Sequence, residues 1–234
     1  MSAMDDDTLI GGRNHRFPDT RPSAIRAAGS DDEERRRPGQ DAIVSAYWKP
    51  VYSYIRLRWR RSNEDAKDLT QSFFTTAIEK DFFDGYDANK GTFRTYLRVC
   101  LDRFLVNDQK FASREKRSAD FVELDFEPPG PKSPEEIFER EWARALFEDA
   151  VGDLRESLRA RGRGVCFELF ERYDLAEDPA SYDQLAREFS IPVTAVTNHL
   201  AAARRELRRL VLERLRSVTA NGREFRLETR ALFQ

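Results

Sequence analysis

Three aromatic and three basic residues alternate along residues 93–104, a combination suited to holding nucleic acid. Aromatic rings stack on unpaired bases while arginines hold the phosphate backbone, which is the design of surfaces that bind single strands. Most aromatic residues at helical spacing belong to a core, and we expect this of Phe104. In the preceding loop, Phe83 and Tyr86 are the better candidates for base contact. The six alternating residues are Phe93, Arg94, Tyr96, Arg98, Arg103 and Phe104.

Residues 182–200 form a second constellation, with the pattern of two helices joined by a tight turn. Ala186 is small enough to let the helices cross closely, and apolar residues on both sides fill the space between them. Polar residues near the start of the second helix then face outward, where they would meet base edges in a DNA major groove. A helical hairpin with a purely structural role is the alternative. The filling residues are Leu185, Ile191, Val196 and Leu200; the outward residues are Thr194, Ala195, Thr197, Asn198 and Ala201; and Arg204, Arg205 and Arg208 behind them are placed to hold phosphates.

The helix expected over residues 63–80 has an acidic, amide-bearing face next to an aromatic stripe that contains Phe73 and Phe74. A hydrophobic core explains the aromatic stripe without any further role. The acidic face is either a solvated surface or a docking surface for a basic partner. Its members are Glu64, Asp65, Asp68 and Gln71.

Catalysis finds little support in the sequence. The only histidines, His15 and His199, are far apart, no cysteine and histidine spacing suits zinc, and there is no phosphate-binding glycine loop. We therefore expect a protein that is not an enzyme and has no metal or cofactor. Cys100 and Cys166 lie among apolar neighbours, which predicts buried, reduced thiols.

Charge is segregated along the chain, although the formal net charge is only −2. Residues 94–117 carry seven basic against three acidic residues, and residues 204–216 carry six arginines against two glutamates. Between them, residues 120–141 carry eight acidic against two basic residues. Two nucleic-acid surfaces joined by an acidic tether would have this distribution, and solvated helix faces are the alternative reading.

Apolar periodicity predicts an all-α protein with two small helical domains joined by an acidic, proline-rich linker, and with a C-terminal helix–turn–helix. Pro50 should kink or interrupt the first long helix. Ser62, Ser133 and Ser181 each have the position of a helix N-cap. The predicted helices cover residues 41–61, 63–80, 92–117, 134–159, 165–173, 182–189 and 193–217.

The domains expected from these elements are a flexible arm at residues 1–38, with a short helix near residues 23–28, and a first domain at residues 39–117. A linker at residues 118–134 precedes a second domain at residues 135–216. The extension 217–234 has no clear pattern. No apolar run is long enough to cross a bilayer and the N-terminus lacks the core of a signal peptide, so we expect a cytoplasmic protein.

Taken together, these features resemble the extracytoplasmic-function type of RNA polymerase sigma factor. Four motifs occur in the order and with the spacing of that family, over residues 41–215. They are Tyr47-Trp48-x-Pro50-Val51-Tyr52-x-Tyr54-Ile55-Arg56, Glu64-Asp65-Ala66-x-Asp68-Leu69-Thr70-Gln71-x-Phe73-Phe74, Gly91-Thr92-Phe93-Arg94-Thr95-Tyr96-Leu97 followed by Phe104-Leu105 and Lys116-Arg117, and the helix–turn–helix described above. The first domain is then similar to sigma region 2 and the second to sigma region 4.

The resemblance implies three sets of residues and their partners. The partners are core RNA polymerase, through its β′ and β subunits, and promoter DNA, with an anti-sigma protein as a further candidate and no membrane. The set that docks on the β′ coiled coil is Asp65, Asp68, Gln71 and Phe74. The set that opens the −10 element is Phe83, Tyr86, Asn89, Lys90, Arg94, Arg98 and Arg103. The set that reads the −35 element is Thr194, Thr197, Asn198, His199, Arg204 and Arg205.

The chain departs from the family pattern at several of these positions. Arg103 stands where members often have asparagine, and the recognition helix has Thr197, His199 and Ala202 where members often have arginine or lysine. Weak −35 affinity is therefore expected, with Asn198 suited to adenine. The alternatives are a DNA-binding regulator that uses the C-terminal unit alone, or a helical adaptor that does not act with core polymerase.

Overall fold

A computed structural model describes residues 23–116 and 133–233 of the chain. Every regular element in those two ranges is helical, which confirms the all-α prediction there. Most of the predicted linker at 118–134, namely residues 118–132, and most of the predicted arm, residues 1–22, lie outside the described residues. The helices are α1 (Ala24–Ala28), α2 (Glu33–Arg58), α3 (Asn63–Glu79), α4 (Phe93–Lys116), α5 (Pro134–Ala160), α6 (Gly164–Phe170), α7 (Tyr182–Glu188), α8 (Val193–Ser217) and α9 (Gly222–Phe233), with a 3-10 turn at Phe82–Gly85 and a π-helical turn at Glu171–Leu175.

The chain divides into two compact units. Unit 1 contains Met1–Ala143 together with Arg216–Gln234, and unit 2 contains Arg144–Leu215. One boundary therefore falls within α5, between Ala143 and Arg144, and the other lies near the end of α8, between Leu215 and Arg216. The C-terminal extension, which has no clear sequence pattern, is helix α9 and belongs to unit 1.

Helix α2 begins at Glu33, so the expected arm boundary at residue 38 lies inside a helix. The Asp32 side chain caps this start by accepting a hydrogen bond from the Glu34 N–H at 3.0 Å. Gly39 lies against α1: a Cβ atom there would come within 2.4 Å of the Ala28 backbone nitrogen. The short helix near residues 23–28 is confirmed as α1, and the close approach of α2 depends on this glycine.

Proline does not interrupt α2, because Pro38 and Pro50 both lie inside it. Of the two outcomes expected at Pro50, a kink or a break, the break is therefore wrong. Pro50 is buried, and its buried neighbours Tyr47, Val51 and Tyr54 hold the helix in the core of unit 1. Tertiary packing here outweighs the local cost of a missing backbone hydrogen bond.

The core of unit 1 is built from aromatic residues on four helices. The Tyr47 ring meets Phe93 edge to face at 5.6 Å between ring centroids, and Tyr54 meets Phe138 in the same way at 5.4 Å. The Tyr54 hydroxyl donates to Asp102 at 2.8 Å. Because a buried hydroxyl needs such a partner, this bond fixes α2 against α4.

The core of unit 2 holds α7 and α8 together as the sequence predicts. Leu185, Val196 and Leu200 are fully buried in a cluster that also contains Leu154 and Phe167. The predicted cap of α7 is confirmed as a reciprocal pair of hydrogen bonds between residues 181 and 184. Ser190, in the turn before α8, has a positive backbone φ of 53°.

Candidate partner and nucleic-acid interfaces

The acidic face of α3 is exposed to solvent. Asp65, Asp68 and Gln71 lie on this face, opposite the stripe that packs into the core of unit 1. Phe74 belongs to the stripe: only 3% of its surface is exposed, and its ring stacks on Trp48 at 5.9 Å. Of the four residues assigned to polymerase docking, Phe74 therefore supports the helix from inside and has no surface to offer a partner.

A groove of about 540 Å³ lies between the end of α3 and the middle of α4. Lys80 and Arg103 supply positive charge at its rim, while Phe82, Tyr96 and Phe104 supply aromatic surface. These side-chain types suit a nucleobase with its phosphate. The lining residues are Thr76, Lys80, Phe82, Tyr96, Cys100, Arg103, Phe104, Asn107 and Asp108.

Tyr96 is held in place at this groove. Its hydroxyl donates to the Phe82 carbonyl at 2.6 Å, and burial raises its pKa to about 12. Burial also raises the pKa of the Cys100 thiol, so this cysteine is protonated at neutral pH and is a poor nucleophile. The groove therefore presents rings, two cations, an amide and the Asp108 carboxylate rather than reactive groups.

The loop before α4 divides its predicted DNA contacts between core and surface. Phe83 is only 3% exposed and packs near Phe93, so the expectation that its ring meets a base is wrong for this conformation. Tyr86 is half-buried, and its hydroxyl donates to the Gly91 carbonyl at 3.0 Å. Asn89 and Lys90 are exposed, and both contact the Asp87 carboxylate.

Arg94 is a buried cation rather than a surface one. It is 8% exposed, and its guanidinium lies 4.4 Å from the centre of the Trp142 ring. Glu228 and Glu139 form ion pairs with it at 3.1 and 3.4 Å. In this conformation Arg94 cannot reach DNA, which corrects its assignment to the −10 surface.

Arg98 is also engaged within unit 1. It forms ion pairs with Asp102 at 2.9 Å and with Glu135 at 2.7 Å, and its side chain is 13% exposed. Arg103, one turn further along α4, is exposed at the groove. Of the three arginines predicted to hold the −10 strand, only Arg103 presents its charge to solvent. Arg94 and Arg98 both pair with carboxylates of other helices, which the local pattern does not reveal, and Arg98 also pairs with Asp102 on α4 itself.

Helix α9 packs against the N-terminal end of α4. The Glu224 carboxylate accepts hydrogen bonds from the Phe93 N–H and from the Ala220 N–H, both at 2.6 Å. Glu228, one turn later, is the ion-pair partner of Arg94, and burial raises the pKa of its carboxyl. The sequence does contain the signal for this helix: Asn221 caps it, and the two glutamates are spaced to share one face.

In unit 2, the start of α8 presents the predicted polar residues. Thr194, Thr197 and Asn198 are exposed and His199 is half-buried. The Thr197 hydroxyl donates to the Val193 carbonyl at 3.1 Å, which leaves Asn198 as the side chain best placed to read a base edge.

Arg204 and Arg205, which follow the start of α8, differ in whether a carboxylate binds them. Arg204 is held by Asp174 through three N–H···O contacts of 2.9 to 3.1 Å, and it also lies over the Tyr173 ring. These bonds raise the pKa of the Arg204 guanidinium. Arg205 is exposed. Arg205 can therefore meet a phosphate directly, whereas Arg204 would first have to leave its carboxylate partner.

Neither a metal cluster nor a membrane-spanning helix is found in the described ranges. Within residues 23–116 and 133–233, no group of three histidine, cysteine, aspartate or glutamate side chains could hold a metal ion. The same part of the chain has no helix that is long and apolar enough to cross a bilayer. Comparison with known proteins finds no family model that matches the chain and no match among curated proteins.

Proposed function

We propose that the chain is a sigma-type transcription initiation factor that binds core RNA polymerase and directs it to promoters. The observation that carries the proposal is the groove between α3 and α4, in which Lys80 and Arg103 lie beside the rings of Phe82 and Tyr96. Cations beside aromatic faces bind single-stranded nucleic acid, and an initiation factor must hold a strand that has left the duplex. The sequence motifs support the same assignment.

Polymerase docking is assigned to the exposed face of α3. Asp65, Asp68 and Gln71 lie on the solvent side of a helix whose other side is anchored in a core. A rigid, acidic, hydrogen-bonding surface suits a basic helical partner, as the resemblance implies for the β′ coiled coil. The core enzyme's β subunit and an anti-sigma protein are further proposed partners, and binding to polymerase would place the chain in the cytoplasm.

Capture of an unpaired −10 base is assigned to the α3–α4 groove. Unstacking a base costs a few kcal/mol, and stacking on an aromatic side chain returns about 1–3 kcal/mol per base. Tyr96 and Phe82 would supply that stacking, while Arg103 and Lys80 would hold the flanking phosphates. Asn89 and Lys90, which are exposed on the adjoining loop, extend this surface.

Reading of the −35 element is assigned to the first turns of α8. Asn198 can form a bidentate pair with adenine, and Thr194, Thr197 and His199 flank it. Arg205 is exposed at this end of α8, but the Arg204 guanidinium is bound to the Asp174 carboxylate. The positive charge available to DNA phosphates there is therefore limited. We therefore expect the −35 contact to add less affinity than the −10 contact.

Docking is tested by co-purification of the tagged chain with a bacterial core RNA polymerase. The variant Asp68→Arg with Gln71→Ala changes two exposed residues on the proposed surface, so it should fold normally and lose core binding. The matched control is Asp41→Arg with Ser45→Ala, which makes the same change of charge and a smaller truncation on exposed positions of α2. Equal recovery of core enzyme by the variant and the control would refute docking through α3.

The same experiment separates the proposal from its alternatives. A regulator that uses unit 2 alone would bind duplex DNA but would not recover core polymerase. A helical adaptor would recover neither core polymerase nor promoter DNA. Recovery of core enzyme by the wild-type chain, followed by loss in the α3 variant, is expected only of the initiation factor.

A further inference from the structure

The 3-10 turn at Phe82–Gly85 decides which of two neighbouring rings faces the groove. Phe82 is half-buried and lines the α3–α4 groove, whereas Phe83 is only 3% exposed. A shift of this turn by one residue would exchange the two rings. A groove that takes a base therefore needs contacts that fix the turn in one orientation.

Tyr96 on α4 holds the main chain of this turn. Its hydroxyl donates to the Phe82 carbonyl at 2.6 Å. The approach requires the glycine at position 85, because a Cβ atom there would lie 2.7 Å from the Tyr96 hydroxyl oxygen. This bond fixes one point of the turn, so the orientation of the turn about that point depends on contacts elsewhere.

Arg36 on α2 binds the two aspartates that flank the two rings. Its Nη2 lies 3.1 Å from a carboxylate oxygen of Asp84, and its Nη1 lies 3.6 Å from a carboxylate oxygen of Asp81. Because the guanidinium is planar and rigid, it holds both carboxylates in a fixed relation to α2. Asp81 has a positive φ of 50°, a backbone conformation that is uncommon for residues other than glycine. The chain therefore changes direction at the residue where Arg36 binds.

These ion pairs are placed to orient the turn rather than to stabilise unit 1 as a whole. The side chains of Arg36, Asp81 and Asp84 are 30%, 54% and 41% exposed, and pairs at such positions contribute little to global stability. The buried anchor of the loop is Phe83, which packs near Phe93. Arg36 also precedes the four family-like motifs, so the motifs assign it no role.

We propose that Arg36 is a positioning residue for base capture, which sets the Phe82 ring at the α3–α4 groove through Asp81 and Asp84. The inference rests on the proposed function, because it deepens the assignment of the groove to an unpaired base. In this role Arg36 touches neither base nor phosphate. Its effect on DNA binding is therefore confined to the stacking that Phe82 supplies, whereas a cation that binds DNA directly would attract any strand that carries phosphates.

The test titrates two fluorescent strands of equal length, oligo-dA and a deoxyribose-phosphate strand without bases, at fixed ionic strength. The measured quantity is the ratio of the two affinities, in which the attraction of the phosphates cancels. The full chain is compared with Arg36→Ala and with Asp81→Asn combined with Asp84→Asn. The control Arg35→Ala removes the same charge one residue away, from an exposed side chain that pairs with Asp32. Circular dichroism checks the folding of each protein, and the aspartate variant decides the test if Arg36→Ala does not fold.

Arg36→Ala should lower the preference for oligo-dA roughly three- to tenfold, the range expected when two partly exposed ion pairs that orient a stacking ring are lost. The aspartate variant should lower it as well, although it changes the net charge in the opposite direction. Phe82→Ala should also lower the preference, and adding Arg36→Ala to it should cost little more. Arg35→Ala should leave the ratio unchanged. An unchanged ratio in Arg36→Ala, or in the aspartate variant, would overturn the positioning role.

Amide exchange in the turn keeps this proposal separate from the proposed function. The N–H groups of Asp84 and Tyr86 donate to carbonyls of the same loop at 3.1 and 3.4 Å. Arg36→Ala should accelerate their exchange several-fold in the absence of DNA, and unchanged exchange would overturn the claim that Arg36 holds the turn. A wild-type chain without preference for oligo-dA would overturn base capture itself, even if this exchange is accelerated. A wild-type preference that Arg36→Ala leaves intact would overturn the role of Arg36 alone.

Discussion

Replacement of Glu224 by alanine should release α9 from unit 1. The carboxylate accepts hydrogen bonds from the buried N–H groups of Phe93 and Ala220, both at 2.6 Å. An unsatisfied buried donor costs about 1–3 kcal/mol, so two of them cost about 2–6 kcal/mol. Water that enters the space left by the side chain would lower this cost, and we expect about 2–4 kcal/mol against docking of α9.

Amide hydrogen exchange measures this loss directly. A cost of about 2–4 kcal/mol corresponds to exchange in α9 that is roughly 30- to 900-fold faster, provided that exchange proceeds through release of the helix. Glu224→Gln should fall between the wild type and alanine, because an amide offers one acceptor oxygen but places an NH2 group against the second donor. Arg230→Ala, at an exposed position of the same helix, is the control. Unchanged protection of α9 in Glu224→Ala would refute the claim that this carboxylate holds the helix.

Burial raises the pKa of the Glu228 carboxyl, so the docked form of α9 binds a proton more readily than the released form. Docking should therefore strengthen as the pH falls through that raised pKa toward the ordinary carboxyl pKa, and this group should cause no pH dependence at higher pH; tryptophan fluorescence can follow the change. Glu228→Gln should flatten this pH dependence, and a response that persists in the variant would assign it to another group. Gly39→Ala should destabilise unit 1 by about 1–3 kcal/mol in denaturant unfolding, because its Cβ would meet the backbone of Ala28 at 2.4 Å. Gly152→Ala, in the open on α5, should be neutral or stabilising by up to about 1 kcal/mol, and equal effects at both glycines would contradict the packing argument. Arg103→Ala should weaken binding of single-stranded DNA several-fold without loss of stability, since the residue is exposed at the groove; destabilisation with unchanged DNA affinity would give it a structural role instead.

Local signals in the sequence predict where most helices begin. The N-caps at residues 62, 133 and 181 are all confirmed, because a cap depends on a side chain and a backbone N–H two or three residues away. Helix α2 starts earlier than predicted although its signals are also local. Asp32 caps it, and Glu33 pairs with Arg37 at 2.7 Å, but the run of charge resembles an unfolded arm.

Long-range partners explain the part of the candidate site that the sequence does not predict. Phe93 and Glu224 are 131 residues apart, and the partners of Arg94 come from two other helices, α5 and α9. A helix in which aromatic and basic residues alternate has the same sequence pattern whether its cations face solvent or a carboxylate on a distant segment. The pattern therefore identifies α4 as the important helix but cannot separate exposed Arg103 from buried Arg94.

The sequence also does not show which aromatic residues near the groove are buried and which are exposed. Phe83 and Tyr86 both lie in a loop, where exposure is the usual expectation, yet Phe83 is buried against Phe93. The rings that line the groove, Phe82 and Tyr96, are one residue before Phe83 and on the next helix. Which ring faces inward depends on the 3-10 turn that begins at Phe82, and a shift of one residue along such a turn exchanges the buried and exposed positions.

Run-off transcription with bacterial core RNA polymerase and a promoter library is the most direct test of the proposed function. The chain is added to core enzyme that lacks its own initiation factor. We predict transcripts with defined start sites that require the chain and that disappear in Asp68→Arg with Gln71→Ala. Absence of chain-dependent transcripts, with the protein folded and the core enzyme active, would contradict the proposal that this protein initiates transcription.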